Sequence, residues 1–563
     1  RVIEEGTGDF VVSGTVLVSY NGNDKEVELP SGITEIGDNA FLRNTNLEKV
    51  TFCDGITRVG SRAFFGCSNL KELSNAENLE SIGEYSFSGC ESLTGELTLS
   101  DSLVNMGESA FSGCTGITSV VLPEGITRIE PLTFSECYNL ESVTFPEGLE
   151  SIGCQAFEHT GLKELEFPES LKAIEEYAFS YCDGLTGSIR IPDTVETLSN
   201  DILFSHSGKI EELILGTGIK TVQEYSINAQ NFNIIRFTGT EPPAFEGDVL
   251  KNLGSDIKVY VPYEAYKEYY DIFSGQGFTG RLLAAGGEEF YIENNVLIGY
   301  FGNDQDVAIP EGVTEIGSNA FRSNLDLENV ILSEGIRVIG DGAFSGCSNL
   351  KTVENTAGLI EIGNSAFSNC ENMETFDLAG ENLERIGDGA FSGCSLLKLP
   401  EISDTVNYIG NSAFTNCSSM SGSIKLPENL TTIGDNAFYR CSGLTGNLVI
   451  PDKVTYIGNW AFRECGFEGT LELPAGLETL GGYAFYGSEF TGVLKLPEKL
   501  TELGNGTFSG CRFTGELILP EGMTYLGDNS LDGLNVESIV IGSRMEAIGE
   551  NALLRCENLT RLV

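Results

Sequence analysis

The hexapeptide Ile36-Gly37-Asp38-Asn39-Ala40-Phe41 is rewritten again and again along this chain, and that recurrence limits the possible folds more than any other feature. It returns as Val59-Gly60-Ser61-Arg62-Ala63-Phe64, as Ile82-Gly83-Glu84-Tyr85-Ser86-Phe87 and as Met106-Gly107-Glu108-Ser109-Ala110-Phe111, and near the end as Ile548-Gly549-Glu550-Asn551-Ala552-Leu553. Its last apolar residue falls at 41, 64, 87, 111, 134, 157 and 179, then less regularly at Leu203 and Ile227. It resumes at 321, 344, 367, 391, 414, 438, 462, 485, 508, 531 and 553, with steps of 22 to 24 residues inside each array. A unit this short cannot bury a core of its own. It must stack on copies of itself, which makes the chain a solenoid.

One unit can be traced from Cys137 to Gly153. Val143 and Phe145 alternate with Ser142 and Thr144, the period of a strand with one buried face. Pro146 ends that strand because it has no N–H for a ladder, and Glu147-Gly148 turns the chain. Leu149 and Ile152 head a second inward-facing segment. The residue after the repeat Gly is drawn largely from Asp, Asn, Ser and Glu: Asp38, Ser61, Ser318, Asp341, Asn364, Asp388, Asn411, Asp435, Asn459, Asn505 and Asp528. Such side chains cap helix starts, so the following x-Ala-Phe is predicted to be a short helical turn with Phe in the core. Each buried Phe contributes about 2–3 kcal/mol. The extra glycines of longer units, Gly95, Gly187 and Gly446, read as bulges or widened corners.

Thirteen of the fifteen cysteines follow the repeat Phe or Leu by three residues, from Cys67 to Cys556. There is no Cys-x-x-Cys pair and no flanking His, so neither a zinc site nor a disulfide framework is expected. Asn44, Thr160, Asn324 and Ser488 take the same register where Cys is missing. The column is therefore read as small, buried, reduced thiols inside the coil.

The totals agree with a folded chain. Of 563 residues, 41% are hydrophobic and 21% charged, with no apolar run long enough to cross a bilayer. The net charge of −50 opposes nucleic acid and anionic lipid. It is read as solubility of a large surface, with attraction of a basic partner or of divalent cations as the alternative. The chain opens on Arg1 and stops inside a repeat, and is read as a fragment whose export signal and anchor lie outside it.

Two arrays are expected. Residues 8 to 35 read as an opening hairpin, with Phe10 to Tyr20 turning at Asn21-Gly22-Asn23, and the same segment returns from Phe290 to Pro310. Between the arrays the period is lost from about 232 to 283. That stretch holds the strand Ile257 to Pro262 and a Tyr-rich helix from Tyr263 to Tyr270, and is read as a C-terminal cap. The boundaries are 1–286 for the first array and 287–563 for the second, which is expected to continue beyond Val563.

The unit Ile-Gly-x-x-Ala-Phe-x-x-Cys-x-x-Leu-x-x-Val-x-Leu-Pro, carried with variations by Ile129 to Pro146, resembles the BspA-like leucine-rich repeats. So do the opening Phe290-Tyr291-Ile292-Glu293-Asn294-Asn295-Val296-Leu297 and the closing stretch from Glu241-Pro242-Pro243 to Tyr266. The resemblance implies a leucine-rich repeat solenoid with a parallel sheet on one face and short helical turns. It also implies secretion or cell-surface display and a role in adhesion, with a host or neighbouring-cell protein as partner.

Little in the sequence points to catalysis. His159 sits on a corner of an ordinary repeat and His206 where the pattern frays. No Ser or Cys has a His at a fixed offset, and no phosphate-cradling loop occurs. No enzyme, metal or cofactor is expected. The outward strand positions, from Thr51 and Ser74 to Ile518 and Val540, form a mixed row without a repeated recognition residue. The turn edge is more distinctive. Trp460, the sole Trp, fills a slot held elsewhere by Asn, Ser, Gly or Arg, and Tyr483 fills it one repeat on. Tyr439 and Tyr486 flank them in the next register, so with layers about 5 Å apart the four are expected to form one exposed aromatic patch suited to a sugar ring or a protein hot spot. The reading is a non-enzymatic interaction scaffold, with a carbohydrate-binding surface protein and a structural spacer as the alternatives.

Overall fold

The computed structural model describes residues 8–199, 204, 206–208, 210–227 and 232–563. Two compact units make up the chain, Arg1–Gly287 and Glu288–Val563. Each is a parallel-strand solenoid of leucine-rich repeat type with few helices.

The second unit shows how a coil closes. On one side the strands Asp306–Ala308, Asn329–Ile331, Thr352–Glu354 and Thr375–Phe376 pair in parallel. On another, two-residue strands form a second parallel ladder from Glu315–Ile316 to Thr479–Leu480. The antiparallel hairpin Phe290–Glu293 with Val296–Tyr300 begins that ladder, so the first coil has no bare edge on that side. The Ala-Phe turns make a third ladder: the Phe367 N–H donates to the Ala390 carbonyl at 2.7 Å, and the Phe344 N–H to that of Ala366 at 2.7 Å.

Phenylalanines stack down the centre. Phe344 and Phe367 lie 5.1 Å apart with rings 3° from parallel, and Phe391 and Phe414 5.4 Å apart at 3°. Tyr300 starts this column against Phe321, and Phe290 lies on Tyr300. The first unit repeats the arrangement with Phe10, Tyr20 and Phe41. Leu203, expected in the column, lies outside the described residues. Phe204 stacks on Phe179 at 5.9 Å and carries the column there.

The repeat Gly has a steric cause. A Cβ on Gly387 would fall 2.6 Å from the carbonyl carbon of Gly363 in the previous coil, a distance no side chain accommodates. The polar residue after it does something other than cap a helix, and the capping expectation is corrected. The Asp388 carboxylate accepts the backbone N–H of Asn411 in the next coil at 2.9 Å, Asn411 accepts that of Asp435 at 2.8 Å, and Asp435 that of Asn459 at 2.7 Å. Within the coil the turn is held by i→i+3 bonds, Ser368 N–H to Ser365 and Cys370 N–H to Phe367. A left-handed residue such as Ser365, φ 52°, stops it from winding on as a helix.

In the first unit a five-stranded sheet ends at Lys258–Pro262 and Arg281–Ala285. The expected Tyr-rich helix is a 3-10 turn, Tyr263–Ala265, followed by the α-helix Tyr266–Gly275. Tyr269 and Phe273 are buried and close on Phe237 at 5.5 and 6.3 Å. Gly95, Gly187 and Gly446 all take left-handed φ, and beside Gly95 the register to the next strand shifts, as a bulge requires.

Candidate functional site

The turn edge of the second unit gathers the residues singled out by their register. Trp460 and Tyr483 lie one coil apart with ring centroids at 6.0 Å, edge to face, and Tyr439 stands 5.9 Å from Trp460. Tyr483 and Tyr486 approach at 5.8 Å. The structure thus brings all four together. Trp460 is 38% exposed and the tyrosines are half-buried.

At the centre stands a residue absent from the sequence reading. The Arg463 guanidinium lies 4.5 Å from the Trp460 ring centroid, 4.8 Å from Tyr486, 5.8 Å from Tyr483 and 5.9 Å from Tyr439. Such cation–π contacts stabilise by about 0.5–1 kcal/mol each where exposed. Arg440 lies over Tyr439 at 5.0 Å. Glu464 links the two cations, accepting from Arg440 at 2.9 Å and Arg463 at 3.2 Å, and the Arg440 hydrogen bond holds its carboxyl below the usual range. The signal was present. Tyr439, Arg463 and Tyr486 each follow the repeat Phe directly, so Arg463 is the middle member of a column whose two ends were noticed.

The backbone is left-handed at two of these rings. Trp460 and Tyr483 have φ of 61° and 57°. Left-handed geometry costs an ordinary residue about 1–2 kcal/mol, and neighbouring coils fill the slot with Asn436 and Gly506. The Tyr483 ring lies against Gly506, where a Cβ would come within 2.5 Å of it. Left-handed geometry recurs in this slot along the coils, with Arg62, Tyr85, Leu132 and Tyr177 among its other occupants, so it belongs to the repeat rather than to the patch.

The two histidines are also placed. His159 and His206 both stack on Tyr181 along the turn edge of the first unit. Among the described residues no group of three or more His, Cys, Asp and Glu could hold a metal ion, and no helix is long and apolar enough to cross a membrane. An open cleft of about 780 Å³ lies on the strand side near Ser142 and Glu166, and its lining includes neither Cys nor His.

Comparison with known proteins follows the same lines. The family described as a BspA type leucine rich repeat region matches in six copies over residues 19–141, 67–186, 151–246, 314–445 and 444–560. Among solved structures, a leucine rich cell surface protein from Faecalibacterium prausnitzii is similar at 23% identity over 75% of this chain and 94% of its own, with a TM-score of 0.31. A leucine-rich repeat protein from Bacteroides ovatus is similar at 20% identity over 88% of this chain and 95% of its own, TM-score 0.28. The pneumococcal vaccine antigen PcpA is similar at 19% identity over 75% of this chain and 89% of its own, TM-score 0.28. None of the curated proteins matches the chain.

Proposed function

We propose, from the premise that this chain belongs to the BspA-type leucine-rich repeat family, that it is a non-enzymatic interaction scaffold displayed at a cell surface or secreted. Its partner is a protein of a host or neighbouring cell, docking on the turn edge around Trp460. The observation that carries this reading is the guanidinium of Arg463 set among four aromatic rings. Trp, Tyr and Arg are the side chains that dominate protein hot spots, because they bury large rigid surfaces and keep polar edges for hydrogen bonds. Such a cluster, gathered from successive coils on one partly exposed edge, supports a docking role.

A sugar ring is the weaker occupant. It would stack on an open aromatic face, and Arg463 already lies 4.5 Å over Trp460. Capture of surface proteins by the intact chain, compared with a Trp460→Ala/Tyr483→Ala variant, tests the proposal. Saturable binding that falls at least tenfold in the variant supports it. Unchanged protein capture rules out the patch, saturable binding in a glycan array rather than to proteins favours the carbohydrate reading, and no saturable binding at all makes the chain a spacer.

A further inference from the structure

The first unit carries a second aromatic row, built of different residues. Tyr138, His159, Tyr181 and His206 follow one another along the turn edge with centroid steps of 6.2, 4.4 and 4.9 Å. The last two steps are stacked, with rings 17° and 18° from parallel. Tyr138 is 55% exposed and Tyr181 41%. Three of the four, His159, Tyr181 and His206, have φ of 58°, 57° and 53°, in the slot that Gly66, Gly89 and Gly113 fill in earlier coils. Three consecutive coils thus replace a residue suited to the left-handed turn with a ring that is not.

The surroundings of the row have one sign of charge. Glu136, Glu158 and Asp183 lie within the segments Phe134 to Tyr138, Phe157 to Thr160 and Phe179 to Asp183, which contain no Lys or Arg. Glu136, Asp183 and the nearby Glu176 are exposed. Of the described cations on these coils, Arg128 is engaged by Glu130 at 3.1 Å and Glu175 at 3.0 Å, Lys163 by Glu141 at 2.5 Å and Lys172 by Glu150 at 2.7 Å. Among the described residues no Arg or Lys lies over any of the four rings. The contrast with the second unit is direct. There an aromatic cluster on the same edge is completed from within the chain by Arg463. Here, among the described residues, no Arg or Lys completes the rings from within the chain.

We propose that Tyr138, His159, Tyr181 and His206, with Glu136, Glu158 and Asp183, form a docking row for an arginine-bearing segment of a protein partner. A planar guanidinium satisfies both halves of the row at once. Tyr181 is enclosed between His159 and His206, so the guanidinium lies on the exposed Tyr138 at the end of the row and offers a fork of donors to a carboxylate, which a lysine ammonium does less well. The chain's net charge of −50 draws such a segment in from a distance, and the row decides where it settles. This inference does not require the Trp460 patch to be a site.

The test uses the full chain and two short probe peptides of equal charge, one carrying three arginines and the other three lysines, titrated at about 0.15 M salt to screen diffuse attraction. The arginine peptide is expected to bind several-fold more tightly than the lysine peptide. A Tyr138→Ser/Tyr181→Asn variant, in which Asn keeps the left-handed turn, should lose about tenfold in affinity, in line with one or two lost cation–π contacts. Tyr181→Phe should retain binding, and Glu136→Gln/Asp183→Asn should weaken it. The Trp460→Ala/Tyr483→Ala variant should bind as the parent does. Equal binding of the two peptides, or full affinity in the Tyr138/Tyr181 variant, would reduce the interaction to the diffuse charge of the chain and overturn the proposal.

Discussion

The thiol of Cys394 donates a hydrogen bond to the backbone carbonyl of Phe367, one coil earlier, at 3.1 Å. The same bond descends the column: Cys370 to Phe344 at 3.2 Å, Cys417 to Phe391 at 3.2 Å and Cys441 to Phe414 at 3.0 Å. The Phe367 carbonyl already accepts the Cys370 N–H of its own turn at 3.2 Å, so the thiol fills its second lone pair. Cysteine here is a small apolar filler that also stitches each coil to the one before it.

Replacing Cys394 by Ala removes both sulfur volume and that bond, and should destabilise the second unit by about 1–2 kcal/mol. Ser restores a donor but is shorter, and Ser488 in the same register has an Oγ without a partner, so Cys394→Ser should be little better. Denaturant melts of the three proteins check this. Burial pushes the Cys394 thiol up to about 12, which keeps it protonated and unreactive. An alkylating reagent should therefore modify the partly exposed Cys53, Cys154 and Cys556 first, and Cys394 only at the rate of unfolding.

Asp388 joins two coils through one carboxylate. It accepts the Asn411 N–H at 2.9 Å and the Tyr408 hydroxyl at 3.0 Å. Asp388→Ala should cost about 1–2 kcal/mol and speed hydrogen exchange at the Asn411 amide, while Asp388→Asn, which keeps the acceptor, should cost less. Because a solenoid is held by nearest-neighbour interfaces, the exchange should rise in the adjoining coils and leave the first unit unchanged. Amide exchange read by mass spectrometry distinguishes this from global loosening.

Glu48 lies between Lys25 at 2.6 Å and Lys71 at 2.7 Å, bridging three successive coils. The hydrogen bonds from Lys25 and then Lys71 lower its carboxyl to about 2. A folded-state value below the unfolded one, about 4.3, gives stability that is present above the unfolded value and lost as pH falls towards 2. Glu48→Gln should therefore lower stability most in the neutral region, and its difference from the parent should close as pH falls from about 4 to about 2. The pair is exposed, so added salt should shrink the difference. Melting profiles against pH at two ionic strengths provide the measurement.

How much of this was legible follows the same division between repeated and unrepeated residues. Phe367, Gly387 and Cys394 announce the coil because they recur, and their interior positions follow from period and polarity alone. The partner of a repeated side chain is less accessible. Asp388 looks like a helix cap in a single unit, and its real acceptor role toward Asn411 exists only between units. The candidate patch was half readable: Trp460, Tyr483, Tyr439 and Tyr486 stand out as aromatics, whereas Arg463 passes for an ordinary surface charge until it is placed in its column. His159 and His206 were hidden for a similar reason, since their meaning lies in the intervening Tyr181 and in stacking between coils.

Trp460 is the sole Trp of the chain, which turns the patch into its own reporter. Arg463 lies over its ring at 4.5 Å, with Tyr483 edge-on at 6.0 Å and Tyr439 tilted against it at 5.9 Å. Arg463→Ala removes the common centre of four ring contacts and also leaves Glu464 with Arg440 alone. Trp460 fluorescence should then become more readily quenched by acrylamide, and the near-ultraviolet dichroism of the rings should weaken. The loss in stability should stay near 1–2 kcal/mol, since the contacts are partly exposed and not additive. Arg463→Lys preserves charge without the planar fork, so it should restore little of the signal if stacking orders the patch, and most of it if charge alone does. Partner binding measured on the same two variants then connects order to recognition: a patch prearranged by Arg463 should lose affinity in step with the spectral change, because rings that must be ordered on contact bind more weakly than rings already in place.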